Sequence, residues 1–150
     1  MKYRSYAHHD KENGYQNVET AKEFAKFVKK QLARRQSVEL IAVDGSSTFL
    51  AAFVKMLKPD WNLVTGDKST ERIKGEFEFC KNLVFVDDYF CGGNATKAVI
   101  KMIENYHSEA NHPENIYFYY IAGQNNINRR HADIISKSRL KSKLHFLAME

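Results

Sequence analysis

Cysteine is scarce in this chain. Its 150 residues hold two, Cys80 and Cys91, in no CxxC spacing, which argues against a disulfide framework and against a thiolate metal site. Long apolar runs are missing too: none approaches the roughly 18 residues that a membrane-spanning helix needs. The opening MKYRSYAHHDKENGY lacks the apolar stretch of a secretory signal. Together these absences predict a cytoplasmic protein that does not enter a membrane. The GxxxxGK[ST] spacing of a nucleotide P-loop is absent. So is a GxSxG elbow, although GSS at 45–47 could supply a serine to a hydrolase-like or other α/β nucleotide-binding protein. His8 and His9 precede Asp10 without further ligands, which reads as a solvated terminus rather than a metal site. Internal repeats and low-complexity tracts are lacking as well.

What is present is a balanced composition. A 43% hydrophobic and 27% charged chain of this length is an ordinary globular domain with a substantial core. Residues 1–17 read as an irregular arm and 18–150 as one domain. The net charge of +5 is concentrated: RRHADIISKSRLKSK (129–143) carries six Lys/Arg against one Asp, and the rest of the chain balances. That segment is either a solvated helix face and loop or a patch for an anionic ligand or nucleic acid.

Hydrophobic periodicity orders the elements. VETAKEFAKFVKKQLARR places Val18, Ala21, Phe24, Ala25, Val28 and Leu32 on one helical stripe. SVELIAV (37–43) reads as a strand, DGSST (44–48) as a loop and FLAAFVKML (49–57) as a helix closed by Pro59. Further strands are expected at 61–66, 83–88, 116–122 and 144–149, and further helices at 96–107 and 125–138; residues 67–82 form a long polar connection. Apolar strands alternating with helices predict an α/β fold, a single domain whose mostly parallel sheet carries helices on both faces. Ligands of such sheets sit beyond the carboxyl ends of the strands.

LVFVDDYFCGGNAT (83–96) carries most of the chemistry. Asp87 and Asp88 end a buried strand, where an unpaired carboxylate is costly unless hydroxyls or a hard cation such as Mg²⁺ meet it. Gly92 and Gly93 allow close backbone approach. Asn94 and Thr96 offer side-chain hydrogen bonds, and a helix opening near Thr96 presents free N–H groups and its positive dipole end. Carboxylates followed by a phosphate cradle suit a sugar phosphate. A capped turn at a strand end, which Asp and Gly also build, is the plainer alternative.

The segment resembles the ribose-5-phosphate motif of type I phosphoribosyltransferases: apolar strand, two acids, a three-residue bridge, then a small glycine- and threonine-rich loop opening a helix. VELIAVDGSSTFLAAF is similar to that family's pyrophosphate loop, and IKGEFEFCKNLVFVDD to the stretch from its mobile hood into the motif strand. The likeness covers about residues 18–122. It implies an enzyme that uses 5-phosphoribosyl-1-pyrophosphate and Mg²⁺ to transfer phosphoribosyl to or from a nitrogenous base. By position, Asp87 and Asp88 would hold the ribose hydroxyls and, through the diphosphate, the metal. Gly92, Gly93, Asn94, Ala95 and Thr96 would hold the 5-phosphate. Asp44, Gly45, Ser46 and Ser47 would lie at the pyrophosphate, with Lys68, Arg72 and Lys74 closing over it and Lys68 and Arg72 neutralising developing charge.

The pattern also departs from the family. Gly92 and Ala95 stand where it usually has threonines, and Cys91 where 6-oxopurine enzymes often carry an acid. DGSST lacks the basic residue often found in the pyrophosphate loop. These departures leave open a non-catalytic regulator of the same fold, binding nucleotide or RNA through Arg129, Arg130, Lys137, Arg139, Lys141 and Lys143. Of the aromatics, one of Tyr117, Phe118, Tyr119 and Tyr120 could stack on a base, as could Phe146, although core packing is the stronger expectation. Exposed aromatics would fit a homodimer.

Overall fold

The computed structural model describes residues 17–35, 37–42, 45–65, 81–90, 93–106 and 113–150, with Ser46 and Tyr106 described by backbone alone. Among the described residues nine elements follow one another: α1 (Val18–Gln31), β1 (Val38–Ala42), α2 (Gly45–Leu57), β2 (Asn62–Thr65), β3 (Asn82–Phe90), α3 (Asn94–Tyr106), β4 (Asn115–Gly123), α4 (Ile127–Lys137) and β5 (Leu144–Ala148). The five strands form one sheet in the order β2-β1-β3-β4-β5, and every pairing is parallel. The expected α/β class with a parallel sheet is therefore what the chain adopts.

Alternation along the strands makes two cores. Leu40, Val84, Val86, Tyr117, Tyr119 and Ile121 face Phe24 and Val28 of α1 and Leu50 and Val54 of α2. Their neighbours Ile41, Leu83, Phe85, Ile116, Phe118 and Tyr120 pack with Ile100 and Ile103 of α3 and Ile134 of α4 on the other side. Because both faces are covered, the strands read as unbroken apolar runs instead of alternating ones. Each side chain so buried contributes about 1.5–3 kcal/mol from removal of apolar surface. Across the sheet, Phe85, Phe118 and Phe146 stand in register on adjacent strands and stack at 5.0 Å in both steps.

Element boundaries differ from expectation in two places that matter for function. Helix α2 starts at Gly45, not at residue 49. Small hydroxyl residues favour both loops and the first turn of a helix, where they can satisfy free backbone N–H groups, so GSST reads ambiguously from composition. Strand β3 continues past Asp88 to Phe90 because β4 keeps pairing with it, Tyr89 opposite Ala122 and Phe90 opposite Gly123. The two acids thus lie within a paired strand, not at its end. The expected arm (1–17, except Asn17), most of the polar connection (67–82), Cys80, Cys91, His8, His9 and Asp10 fall outside the described residues. Among the described residues, no helix is long and apolar enough to cross a membrane.

Candidate functional site

The strand order fixes where a ligand can enter. From β1 the chain steps outward through α2 to β2, then returns to the other side of β1 and steps the opposite way through β3, α3, β4, α4 and β5. Right-handed crossovers in opposite directions put α2 and α3 on opposite faces. The segments leaving β1 and β3 therefore diverge, and a crevice opens at the carboxyl ends of these two strands, the switch point of a doubly wound sheet.

Residues of both diverging segments meet there. A hollow of about 470 Å³, counted out to its open mouth, is lined by Ser47, Phe85, Val86, Asp87, Ala95, Thr96, Val99, Phe118 and Tyr120. On the β1 side the pairing of β3 ends at Phe85, so Asp87 lies beyond the neighbouring strand and reaches the crevice while still paired with Tyr120 on the β4 side. Ser47 Oγ, in the first turn of α2, donates to Asp87 Oδ1 at 3.5 Å. Asp87 Oδ1 also accepts from the Asp88 N–H at 2.8 Å. The sequence puts the first turns of two helices, Gly45–Ser47 and Asn94–Thr96, at one crevice whose polar wall is a carboxylate and hydroxyls. Two helix amino ends favour an anion there.

The two acids part company. Asp87 is half-buried and lines the hollow; Asp88 is 6% exposed, does not line it, and its Oδ1 accepts from the Tyr89 N–H at 2.8 Å. Adjacent residues of a pleated strand cannot both address one space, so the crevice receives one carboxylate directly. Gly93 has φ +77°, and a Cβ there would come within 2.7 Å of the Phe90 ring and 2.9 Å of Ile134 Cδ1. Its left-handed turn sets the start of α3, and the space beside it is taken by the packed Phe90 ring and Ile134 rather than left open to a ligand. Thr96 is buried, and its Oγ1 shares a 2.5 Å hydrogen bond with the Tyr120 hydroxyl. Burial pushes the Tyr120 phenol well above its ordinary range; the Thr96 bond opposes this and the Asp87 charge adds to it.

Other expected site residues are distributed as follows. Asn94 and Ala95 are exposed in the first turn of α3. Asp44, Lys68, Arg72, Lys74 and Gly92 lie outside the described residues, as does the side chain of Ser46. Among the aromatics, Phe118 and Tyr120 line the hollow, whereas Tyr117 and Tyr119 face the opposite core and Phe146 packs on Phe118 and on His131. The basic segment is not one surface. Arg129 and Arg130 sit in the first turn of α4, at the same rim as the crevice, while Lys141 and Lys143 follow the helix at the amino-terminal rim. The 11 residues of α4 hold them about 16 Å apart. Between them Lys137 is paired with Asp133 at 3.2 Å, and Arg139 bonds the Glu104 main-chain oxygen at 2.7 Å with its Nε 3.7 Å from the Glu104 carboxylate.

His131 is among the buried polar residues that were not anticipated. It is 6% exposed and lies in the layer between α4 and the sheet, 4.6 Å from the rings of Phe90 and Phe146. Its Nε2 makes no hydrogen bond among the described residues, and burial lowers its pKa to about 4. The signal was available in sequence: Ile127, His131, Ile134 and Ile135 share one helical stripe.

No protein-family model matches the chain, and no curated protein matches it. The class that fold and site define is a doubly wound parallel α/β domain whose switch-point crevice is lined by one carboxylate, hydroxyls and apolar side chains.

Proposed function

We infer that this is a phosphoribosyltransferase-type protein, type I in its motif, that binds 5-phosphoribosyl-1-pyrophosphate with Mg²⁺ and transfers phosphoribosyl to or from a nitrogenous base. The observation that carries the reading is Asp87 lining a crevice into which the first turns of α2 and α3 both open. In this reading the Asp87 carboxylate accepts hydrogen bonds from ribose hydroxyls. The free N–H groups of the α3 first turn, reached through the left-handed Gly93, hold the 5-phosphate, and the α2 first turn with Ser47 faces the diphosphate.

A single carboxylate leaves most of a hard cation's six positions to other oxygens, which suits Mg²⁺ carried on a diphosphate. When bound, Mg²⁺ would neutralise charge on the departing pyrophosphate. The chain's own residues orient the sugar and keep the carboxylate beside it as positive charge grows on the ribose. The apolar wall of Phe85, Val99 and Phe118 limits the water that can reach that carbon. Lys68, Arg72 and Lys74 are assigned to closure over the site by resemblance alone.

Isothermal titration calorimetry with phosphoribosyl pyrophosphate and Mg²⁺ tests the reading. Wild-type protein is expected to bind, and Asp87→Asn to weaken binding at least ten-fold. Absent binding, or equal binding by the variant, overturns it. Pyrophosphate release across a panel of bases then identifies the acceptor.

A further inference from the structure

The amino-terminal rim of the sheet, opposite the crevice, gathers cations that are far apart in the chain. Helix α1 ends at Gln31, and Lys30, Gln31, Ala33, Arg34 and Arg35 line a shallow hollow there that contains no acid. Two lysines in the last turn, Lys29 and Lys30, already complement the carboxyl end of the helix dipole. Arg34 and Arg35 lie past the helix end, so the dipole does not account for them.

Arg35 instead addresses an aromatic row. Phe27 of α1 meets the Tyr119 ring edge-on at 5.8 Å, Tyr119 stacks with Tyr117 at 5.7 Å, and Tyr117 stacks with His145 at 4.7 Å and 20°. The row begins under α1 and ends at the exposed imidazole of His145, held by Asn115 Oδ1 at 3.0 Å from Nε2. The Arg35 charge is felt by Tyr117, Tyr119 and His145, which puts the guanidinium beside the row. Burial raises the Tyr117 pKa, and the charge and side-chain hydrogen bonding of Arg35 oppose that rise. Lys143, whose main-chain oxygen accepts from the Ile116 N–H at 2.8 Å, stands two residues before His145 on the same rim. Burial, reinforced by Arg35, depresses the His145 pKa, so its imidazole offers a neutral stacking face at neutral pH.

We propose that the rim formed by Lys30, Arg34, Arg35, Lys143 and His145 binds single-stranded nucleic acid, the cations tracking phosphates and the His145–Tyr117 stack receiving a base. Cations alongside an aromatic platform are what sequence-tolerant single-strand binding requires. An anionic membrane would call for large apolar anchors beside the cations, and none of Val18, Met56, Leu57 and Leu147, the exposed large hydrophobics among the described residues, belongs to this hollow. The site is independent of the crevice, since the length of the strands separates the two.

Fluorescence anisotropy of a labelled 12-nucleotide oligouridine, titrated with the full chain between 50 and 200 mM salt (roughly the range over which phosphate contacts are lost), tests the proposal. Wild type is expected to bind with a steep salt dependence. Arg34→Glu/Arg35→Glu is expected to lose at least ten-fold in affinity and to flatten the slope by about 1–2, at roughly 0.7 per phosphate contact on a single strand. His145→Ala should lose several-fold with an unchanged slope. Lys22→Glu/Lys101→Glu, of identical net charge but on exposed positions of the first half of α1 and of α3, should stay within about three-fold of wild type, as distant phosphate contacts are independent. Should the glutamate pair fail to give native circular dichroism, Arg34→Gln/Arg35→Gln takes its place; it removes the same two contacts and should flatten the slope by about the same amount. Absent binding at the lowest salt overturns the proposal. Equal loss in the two double variants, or capture by phosphatidylserine vesicles without capture of the oligonucleotide, overturns it as well.

Discussion

At Gly93 the backbone and the packing make the same demand. Its φ of +77° costs a residue with a Cβ about 1–3 kcal/mol, and the atoms that Cβ would meet, at 2.7 Å on Phe90 and 2.9 Å on Ile134, are held in a core. Overpacking of this kind adds about 1–3 kcal/mol. Gly93→Ala is therefore expected to lower the thermal midpoint by roughly 5 °C or more, at about 2–4 °C per kcal/mol for a chain of this size, as scanning calorimetry would read. His131 supplies a second residue-scale expectation. With its folded pKa depressed to about 4 against about 6.5 unfolded, the unfolded chain binds the proton first as pH falls. Stability is full above about pH 6.5 and is lost on the way down to about pH 4, by roughly 3 kcal/mol at most. Urea midpoints measured between those limits should fall steeply for wild type and more gently for His131→Phe, which fills the same aromatic layer without an imidazole. Parallel pH curves for the two proteins would refute this assignment.

Among the elements, α1 shows how local sequence and packing divide the work. Asn17 caps it, its Oδ1 accepting from the Thr20 N–H at 3.1 Å, and Glu19 and the pair Lys29 and Lys30 suit the two dipole ends. Asn17→Ala should cost about 1 kcal/mol, measured by denaturant titration. Those signals are local, so the start of α1 could be read directly from the chain. The start of α2 could not, because Gly45, Ser46, Ser47 and Thr48 suit a loop as well as a first turn. The end of β3 was likewise illegible: whether Tyr89 and Phe90 extend the strand depends on β4, whose Ala122 and Gly123 are more than thirty residues away. In the Phe85–Phe118–Phe146 ladder each phenylalanine is apolar on its own account, but the stack exists only through register. Phe118→Ala, at its centre, is expected to cost about 3–5 kcal/mol, provided the denaturant slope shows that two-state unfolding survives.

Across the whole molecule, a ligand in the crevice would touch α2 from one face of the sheet and α3 from the other. Phosphoribosyl pyrophosphate with Mg²⁺ should then slow amide exchange in the first turns of both helices, residues 45–48 and 94–97, while leaving the carboxyl end of α1 unchanged. Protection confined to one helix would contradict a ligand that bridges the switch point. The same scale explains the basic segment. Residues 129–143 look like one patch as a string, but α4 runs back along the sheet and delivers Arg129 and Arg130 to one rim and Lys141 and Lys143 to the other. Conversely, Arg35 and His145 are 110 positions apart and become neighbours.

Sequence alone determined the alternation of helices and strands and the doubly covered parallel sheet, because periodicity and turn chemistry are local properties. Tertiary structure decided the strand order, and with it the crevice between β1 and β3. It separated Asp87 from Asp88 through the pleat and the unequal lengths of neighbouring strands. It also assembled the aromatic row that leads to Arg35. These depend on register and crossover direction, which arise only when segments distant in the chain pack together.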